Sequence, residues 1–203
     1  MLYELVTLSV LPARRLSVLD QLERAHHSGA HGFLGCWTSE IGQLNRIVIL
    51  RAFADAATWL AARQSRIAAT TPLGVNADDL HAVSCTTGLG FPFLPVVTPG
   101  AYGRVYELRS YRIRPGSMAA MVKGFEQALP ARLRVSPLLL AMHELDGEGR
   151  FIHIWPYASL EERGRIRAQV VRDGIWPPKS NAAALTYDMR NEILLPAVFS
   201  PLQ

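Results

Sequence analysis

The sequence has few cysteines and no long apolar run, and both absences narrow the classes of protein that it can encode. Only two of its 203 residues are cysteine, Cys36 and Cys85, and neither belongs to a CxxC pair. Isolated cysteines argue against a disulfide-rich secreted scaffold and favour a reducing compartment. No segment approaches the roughly 18 consecutive apolar residues of a membrane-spanning helix. Glu4 interrupts the apolar start, which no basic region precedes, unlike in a signal peptide. We therefore expect a cytoplasmic protein without a membrane span.

Runs of like charge and catalytic signature motifs are missing too. The net charge is +4, but the 21 basic residues are spread among acidic and apolar ones, so we expect no nucleic-acid partner. There is no GxSxG motif. Prolines follow the glycines at 88–90, so no helix begins there to hold a phosphate. His26 and His27 are adjacent and point apart, and with His31 they make a poor ligand set. We predict no metal and no cofactor.

What the sequence does contain is enough apolar residues for a large core, in alternating strand and helix patterns. Hydrophobic residues make up 49% of the chain, which suffices for one large domain or two small ones. Period-two and helical spacings, with their turn and cap residues, predict the order β-α-β-β-α-β. The predicted elements are a strand at 2–11, a helix from Pro12 to about Gly29, strands at 33–41 and 44–53, a helix from Asp55 to Ile67, and a strand at 79–87.

The same order then repeats in the second half of the chain. Tyr3-Glu4-Leu5 returns as Tyr106-Glu107-Leu108, and 45–54 resembles 149–158 at nearly the same separation. A constant separation of about half the chain indicates a tandem duplication. The repeated elements are strands at 104–114, 135–145, 151–156 and 182–189, and helices at 116–131 and 159–172. The predicted domains are an N-terminal repeat at 1–87, a Gly/Pro linker at 88–103, and a C-terminal repeat at 104–203 that includes a tail from 191.

Two such units in one chain predict how their sheets are covered. A βαββαβ unit folds as a four-stranded antiparallel sheet with both helices on one face. The other face would expose apolar and aromatic side chains, so the two sheets should pack on each other. We predict an α+β fold in which two ferredoxin-like units form a pseudo-dimeric α/β barrel, with a cavity between the sheets. Association of two chains as a homodimer stays open.

Several motifs of the second half carry a family resemblance. They are 105–111 (VYELRSY) with Pro115-Gly116, 153–160 (HIWPYASL) with Arg163 and Arg167, Asp173 with Trp176, and Leu195-Pro196 with 199–201. This half resembles the NIPSNAP family of dimeric α/β-barrel, ferredoxin-like proteins. The first half matches less well, because Ile49 and Arg51 stand where the second has His153 and Trp155, and it is similar to a diverged copy.

The resemblance implies a fold and a pairing mode more than a reaction. Animal members have been linked to vesicle and mitochondrial roles, whereas related barrel families include cofactor-independent oxygenases, isomerases and haem-dependent enzymes. Fold alone therefore says little about chemistry. We expect a small-molecule-binding or protein-interaction barrel. The alternative is a cofactor-independent monooxygenase or isomerase that uses the cavity between the sheets.

Five side chains are placed together by strand alternation. Glu107, Arg109 and Tyr111 share one face of their strand, and His153 and Trp155 share one face of theirs. If these faces line the cavity, they surround an apolar pocket that can bind an anionic or hydroxylated ligand and move a proton. The candidate catalytic residues are Glu107, Arg109, Tyr111 and His153, with His153 as the acid or base. The alternative is a structural Glu107–Arg109 ion pair and a structural histidine.

Three ring side chains are predicted to contact a ligand: Trp155, His143 and Trp37. His143 lies on the second strand of its repeat, where it can face the same space. For Trp37 the alternative is a core or rim anchor. The basic residues of the last helix are instead predicted to form a solvated face, paired with acidic neighbours at helical spacing: Arg163, Arg165 and Arg167. A connected pocket of at least about 300 Å³ lined by the candidates would favour an enzyme, and a packed interior would favour a non-catalytic role.

Overall fold

The computed structural model describes residues 1–27, 32–147 and 149–203 of the chain. The N-terminal repeat contains β1 (Leu2–Val10), α1 (Arg15–His27), β2 (Phe33–Ile41), β3 (Arg46–Phe53), α2 (Ala56–Ala68) and β4 (Leu80–Gly90). The C-terminal repeat contains β5 (Val105–Ile113), α3 (Met118–Leu133), β6 (Leu140–Glu144), β7 (Arg150–Tyr157), α4 (Leu160–Arg172) and β8 (Leu185–Pro196). Two expectations, the helix end at Gly29 and the contribution of His31, lie outside these residues.

The eight strands close into one barrel in the order β1-β3-β2-β8-β5-β7-β6-β4. Each repeat contributes a ferredoxin-like sheet, in the order β4-β1-β3-β2 or β8-β5-β7-β6. The two sheets join through antiparallel pairing of β2 with β8 and of β4 with β6. The predicted pseudo-dimeric α/β barrel within one chain is thereby confirmed. Within the described part of the chain, no helix combines the length and hydropathy that crossing a membrane requires.

Local sequence signals account for the second helix of each repeat. The side chain of Asp55 accepts a hydrogen bond from the Thr58 amide at 2.8 Å, and Ser159 accepts one from the Glu162 amide at 3.1 Å. Each cap satisfies a backbone N–H group that the first helical turn leaves without a partner. Both helices therefore begin directly after the strand that precedes them, and each is held over the outer face of its sheet.

Two strands of the C-terminal repeat differ from their predicted bounds. β6 begins at Leu140 and not at 135, because α3 continues to Leu133 and Pro137, which has no N–H group to donate to a ladder, follows it. β8 continues to Pro196, well beyond the predicted end at 189. Its last residues pair with β2 of the other repeat, Leu195 opposite Thr38 and Pro196 opposite Trp37. The segment predicted as a tail is therefore part of the barrel closure.

Alternation along the strands divides the side chains into one inner layer and two outer layers. The inner layer fills the middle of the barrel with apolar residues from both repeats, among them Leu5, Leu50, Ile154 and Leu194. An outer layer lies between each sheet and its own helices. Loop residues contribute as well, since Val97 packs into the barrel interior and its amide donates to the Tyr3 hydroxyl at 3.1 Å.

Candidate functional site

The five clustered candidates lie on the outer, helix-covered face of the C-terminal sheet. Their strand neighbours Tyr106, Ile152 and Ile154 belong to the inner layer. Because side chains alternate with a period of two, Glu107, Arg109, Tyr111, His153 and Trp155 must point the other way. The expected position of these residues in a cavity between the two sheets was therefore wrong. In the sequence, the aliphatic side chains of Ile152 and Ile154 indicate which face of this strand turns toward the barrel interior.

On this outer face the candidates line a cavity of about 200 Å³. The cavity lies between β5, β7, α3, α4 and the segment that leads from α4 to β8. It is smaller than the roughly 300 Å³ of sites for drug-sized ligands, but cavities of roughly 150 Å³ can hold one benzene ring. Its apolar wall includes Met121, Phe125, Phe151, Trp155, Val170 and Trp176, and its polar wall includes Glu107, Arg109, Tyr111, Arg132, His153 and Arg167.

A fully buried carboxylate organises the polar wall. Glu107 Oε1 accepts hydrogen bonds from Arg163 Nη2 at 2.6 Å and from Arg109 Nη1 at 3.0 Å, and Oε2 lies 3.5 Å from Arg167 Nη1. The expectation that Arg163 forms part of a solvated helix face was wrong. Arg167 stays 41% exposed but pairs with Glu107 and not with a helix neighbour, whereas Arg165 pairs with a helix neighbour as predicted. One carboxylate facing three guanidinium groups leaves an excess of positive charge beside the cavity.

His153 is buried and has one ring nitrogen without a partner. Trp155 Nε1 can only donate, so His153 Nδ1 accepts from it at 2.5 Å. Burial, with the nearby Arg109 and Arg132 guanidinium groups, lowers the pKa of His153 well below its usual value. The imidazole is therefore neutral and carries its proton on Nε2. No acceptor for that N–H group is present among the residues that the structure describes.

Tyr111 supplies a second donor next to His153. Its hydroxyl accepts a hydrogen bond from Arg109 Nε, and its ring meets the imidazole edge to face with centroids 5.2 Å apart. Burial raises the pKa of Tyr111, so the phenol keeps its proton at neutral pH. With its acceptor position occupied by Arg109, the hydroxyl can donate to a neighbouring oxygen.

Arg132 is a residue of the site that the sequence prediction missed. It is buried at the end of α3, where Nη1 donates to Ser136 Oγ at 2.6 Å and the guanidinium lies 4.3 Å from the Trp155 ring centroid. Across the described ranges, no carboxylate forms an ion pair with it. The available signal was helical spacing, because Arg132 follows Met121 and Phe125 on the apolar face of α3.

His143 and Trp37 do not line the cavity, which corrects the expectation that they join Trp155 there. His143 lies on the outer face at β6 and stacks on Phe91 with centroids 6.1 Å apart. Trp37 lies in the barrel interior, 5.2 Å from the Tyr106 ring centroid. Trp37 is therefore separated from the cavity by the sheet itself. In the parts of the chain that the structure describes, no three His, Cys, Asp or Glu side chains group as a metal site needs.

The N-terminal repeat provides an internal comparison for the site. In the strand register Glu4 lies opposite Arg51, as Glu107 lies opposite Trp155. The Glu4 carboxylate forms ion pairs with Arg51 at 3.2 Å and with Arg66 at 2.8 Å. By the same registers, Val6, Leu8 and Ile49 stand where Arg109, Tyr111 and His153 stand in the other repeat. The space beside Ile49 and Arg51 is only about 20 Å³. A buried Glu–Arg network is thus common to both repeats, whereas the cavity and its donors belong to the second.

Comparison with known proteins identifies one family. The NIPSNAP family model matches residues 3–74 and 106–201. A "Protein NipSnap homolog" of Dictyostelium discoideum is 26% identical over 179 residues, which cover 86% of this chain and 77% of the relative. The matched part spans less than half the length of the animal NipSnap relatives.

Two solved structures share the architecture at low identity. A candidate monooxygenase of Lactobacillus acidophilus is 13% identical, with a TM-score of 0.65 over 96% of this chain and 93% of that one. An anthrone oxidase-like protein is 10% identical, with a TM-score of 0.65 over 97% and 91% of the two chains. At these identities the likeness shows the α/β-barrel fold alone.

Proposed function

The chain belongs to the NIPSNAP family, and from this premise we propose that its C-terminal repeat binds a small molecule in the outer cavity. The ligand has an apolar, ring-sized body and one hydrogen-bond-accepting or anionic oxygen. The observation that carries this proposal is that His153 lines the cavity and that its buried Nε2–H group has no acceptor among the described residues. A buried donor without a partner costs about 1–3 kcal/mol, and a ligand oxygen would remove that cost.

The charges around the cavity support an anionic oxygen. Glu107 is the acidic group of the wall, whereas Arg109, Arg132 and Arg167 are cationic. Arg132 in particular is buried and forms no direct ion pair with a carboxylate of the described residues, and buried charges in proteins are usually paired. A bound oxyanion would supply part of the missing negative charge.

The remaining walls support an apolar body of limited size. Phe125 meets Trp176 edge to face at 5.1 Å, and Trp155 meets Trp176 at 5.7 Å, so aromatic edges and faces border the space. Aromatic rings prefer such offset and edge-to-face contacts with further rings. A cavity of about 200 Å³ has room for a single aromatic or alicyclic ring.

A binding titration tests this function with benzoate as the probe. Trp155 and Trp176 line the cavity, so benzoate should change the intrinsic tryptophan fluorescence in a saturable way, and toluene, which lacks the oxygens, should bind at least about tenfold more weakly. His153→Gln can place an amide N–H near the Nε2 position and should keep most of the affinity. His153→Asn carries the same amide on a side chain that is one methylene shorter, so it cannot reach that position and should lose the preference for benzoate over toluene.

Ile49→Val provides the matched control, because Ile49 is the residue of the N-terminal repeat that corresponds to His153. It should leave benzoate binding unchanged. Equal binding of benzoate and toluene, or the same benzoate affinity in His153→Asn as in the unmodified protein, would contradict the proposed contact with His153.

The second candidate function is an enzyme that stabilises an oxyanion in this cavity. The observation that favours it is the neutral His153 imidazole, whose lowered pKa suits it to donate a hydrogen bond rather than to act as a base. Neutral N–H and O–H donors beside positive charge stabilise enolate or phenolate oxygens, which are intermediates expected of isomerases and cofactor-independent monooxygenases. Bound 4-nitrophenol should then ionise at a lower pH than free 4-nitrophenol, which its visible absorption reports. An unshifted or raised pKa of the bound phenol would contradict the catalytic role and would be consistent with binding only.

We also propose that two chains associate as a homodimer. Barrel closure leaves the described strands without a free sheet edge for a partner, so association would use the helix surfaces, where Ile67 of α2 is 73% exposed and Val171 of α4 is 62% exposed. Light scattering should then report about twice the 22.4 kDa of one chain. A mass of one chain at micromolar concentration would reject the dimer.

A reducing, cytoplasmic location is the last part of this proposal. Cys36 and Cys85 are free thiols, the first buried and the second half-buried. Burial raises the pKa of both thiols and keeps them protonated and unreactive. Two unpaired thiols fit a reducing compartment, where disulfides are rare. Fractionation of the source cells tests this location, and recovery of the chain in an oxidising compartment would contradict it.

A further inference from the structure

A second cavity opens at one mouth of the barrel, on the inner face of the sheets, and nothing in the proposed function uses it. Its volume is about 190 Å³. This cavity and the outer cavity share no lining residue, because strand alternation directs their lining side chains to opposite faces of the sheet. Any ligand of this mouth would therefore be independent of the ligand near His153.

The cavity at the barrel mouth lies where the two repeats face each other, so equivalent residues line it from both sides. Arg46 lies opposite Ser9, and Arg150 lies opposite Arg112 at the corresponding place in the other repeat. Thr7 corresponds in the same way to Ser110, and both also line the cavity. The duplication thus brings two guanidinium groups and two hydroxyl groups to one small space.

Among the residues that the structure describes, the ion pairs around this mouth leave one positive charge uncompensated. Arg46 Nη1 contacts Glu192 at 2.9 Å, and Asp188 binds both Arg150 and Arg190, at 2.8 and 2.9 Å. Three guanidinium groups therefore face two carboxylates. Glu144 accepts from the backbone amide of Arg150 and does not line the cavity.

The hydrogen-bonding capacity of Arg46 is also incomplete. Its Nε atom is buried and has no acceptor in the described part of the chain. Glu192 uses only Nη1 of the same guanidinium. Arginine commonly binds an oxyanion through two neighbouring N–H groups of its guanidinium. These charge-assisted hydrogen bonds are among the strongest in proteins.

We propose that the barrel mouth binds a small hydroxylated molecule through one anionic group, a carboxylate or a phosphate. The anionic group is placed between Arg46 and Arg150, and the hydroxyl groups of the ligand meet the side chains of Thr7 and Ser110. A volume of about 190 Å³ limits the ligand to a few carbon atoms beside the anionic group. Both repeats contribute to the site, so it exists only in the closed barrel.

Calorimetric titration of the full chain with three matched probes tests this site. Glycerol 3-phosphate and glycerate carry the anionic group with neighbouring hydroxyls, and glycerol carries the hydroxyls alone. At least one of the two anions should bind, and glycerol should not bind detectably. The tighter of the two anions identifies the phosphate or the carboxylate as the preferred group. Failure of both anions to bind at millimolar concentration would overturn the proposal.

Two variants with opposite expected effects separate the site from a folding defect. Arg46→Gln removes the unpaired donor and should weaken anion binding at least about tenfold, whereas Glu192→Gln releases Arg46 Nη1 and should strengthen binding about tenfold. A misfolded variant cannot bind more tightly. Arg165→Gln makes the same charge change as Arg46→Gln on an exposed helix face and should have no effect. Weaker binding in Glu192→Gln, or loss of binding in His153→Asn, would overturn the assignment to the barrel mouth.

Discussion

His153 is the residue whose chemistry is set most strongly by its surroundings. Its lowered pKa means that the folded protein resists protonation of this imidazole, whereas the unfolded chain takes up the proton near the ordinary value of 6.5. The unfolded state thus binds more protons just below pH 6.5. The stability that the neutral imidazole gives is present above that pH and is lost as the pH falls toward the folded pKa.

Urea unfolding at about pH 7.5 and about pH 5.5 should show this loss in the unmodified protein. The His153→Gln variant has no titrating group at position 153. Its free energy of unfolding should therefore fall less between these pH values, by up to about 1.4 kcal/mol per pH unit. His81→Gln, at an exposed position, serves as the control and should behave as the unmodified protein does. An identical pH dependence in His153→Gln would contradict the buried neutral imidazole.

Much of the site follows from strand alternation, but not the side of the sheet on which it lies. Period two correctly groups Glu107, Arg109 and Tyr111, because only backbone geometry is needed. Which face turns toward the helices depends on packing of both repeats, and polar residues on the helix side are the less common arrangement. Helical spacing placed Arg132 on the apolar face of α3, but its place in the site could not be predicted, because its contact with Trp155 forms only in the folded chain.

At the scale of elements, α4 presents two faces with different energetics. Arg163 turns toward the buried Glu107, whereas Arg165 is 66% exposed beside Glu162. Arg163→Gln should lower the free energy of unfolding by about 1–3 kcal/mol, because it removes a charge-assisted hydrogen bond from a buried carboxylate. Arg165→Gln should change it by less than about 0.5 kcal/mol. Chemical denaturation measures both, and equal effects would contradict the inward orientation of Arg163.

The elements that sequence patterns placed well are those bounded by local signals. Asp55 and Ser159 cap their helices through contacts with residues three positions later. The start of each helix can therefore be predicted from the local sequence. β8 depends instead on β2 of the other repeat, with Trp37 opposite Pro196. A strand whose end is set by a distant partner carries no boundary signal of its own, and the prolines near its end suggested a tail.

For the whole molecule, the duplication makes each repeat the cover of the other. Tyr106, Ile154 and Leu194 are fully buried in the barrel interior, and they would face water in an isolated C-terminal repeat. We expect residues 104–203 expressed alone to self-associate, since exposure of such a surface is unfavourable by about 25 cal/mol per Å². Light scattering should show a dimer or a larger species. A cooperatively folded monomer of this fragment would contradict the mutual covering of the two sheets.

The account of the molecule places its principal ligand site between the helices and the sheet of the second repeat. A crystal of the full chain grown with an iodinated benzoate measures this directly, because the iodine is located by anomalous scattering. The predicted result is one iodine peak in the outer cavity, with a carboxylate oxygen within hydrogen-bonding distance of His153 Nε2, and none beside Ile49. An iodine peak confined to the barrel interior or to the first repeat would contradict the account.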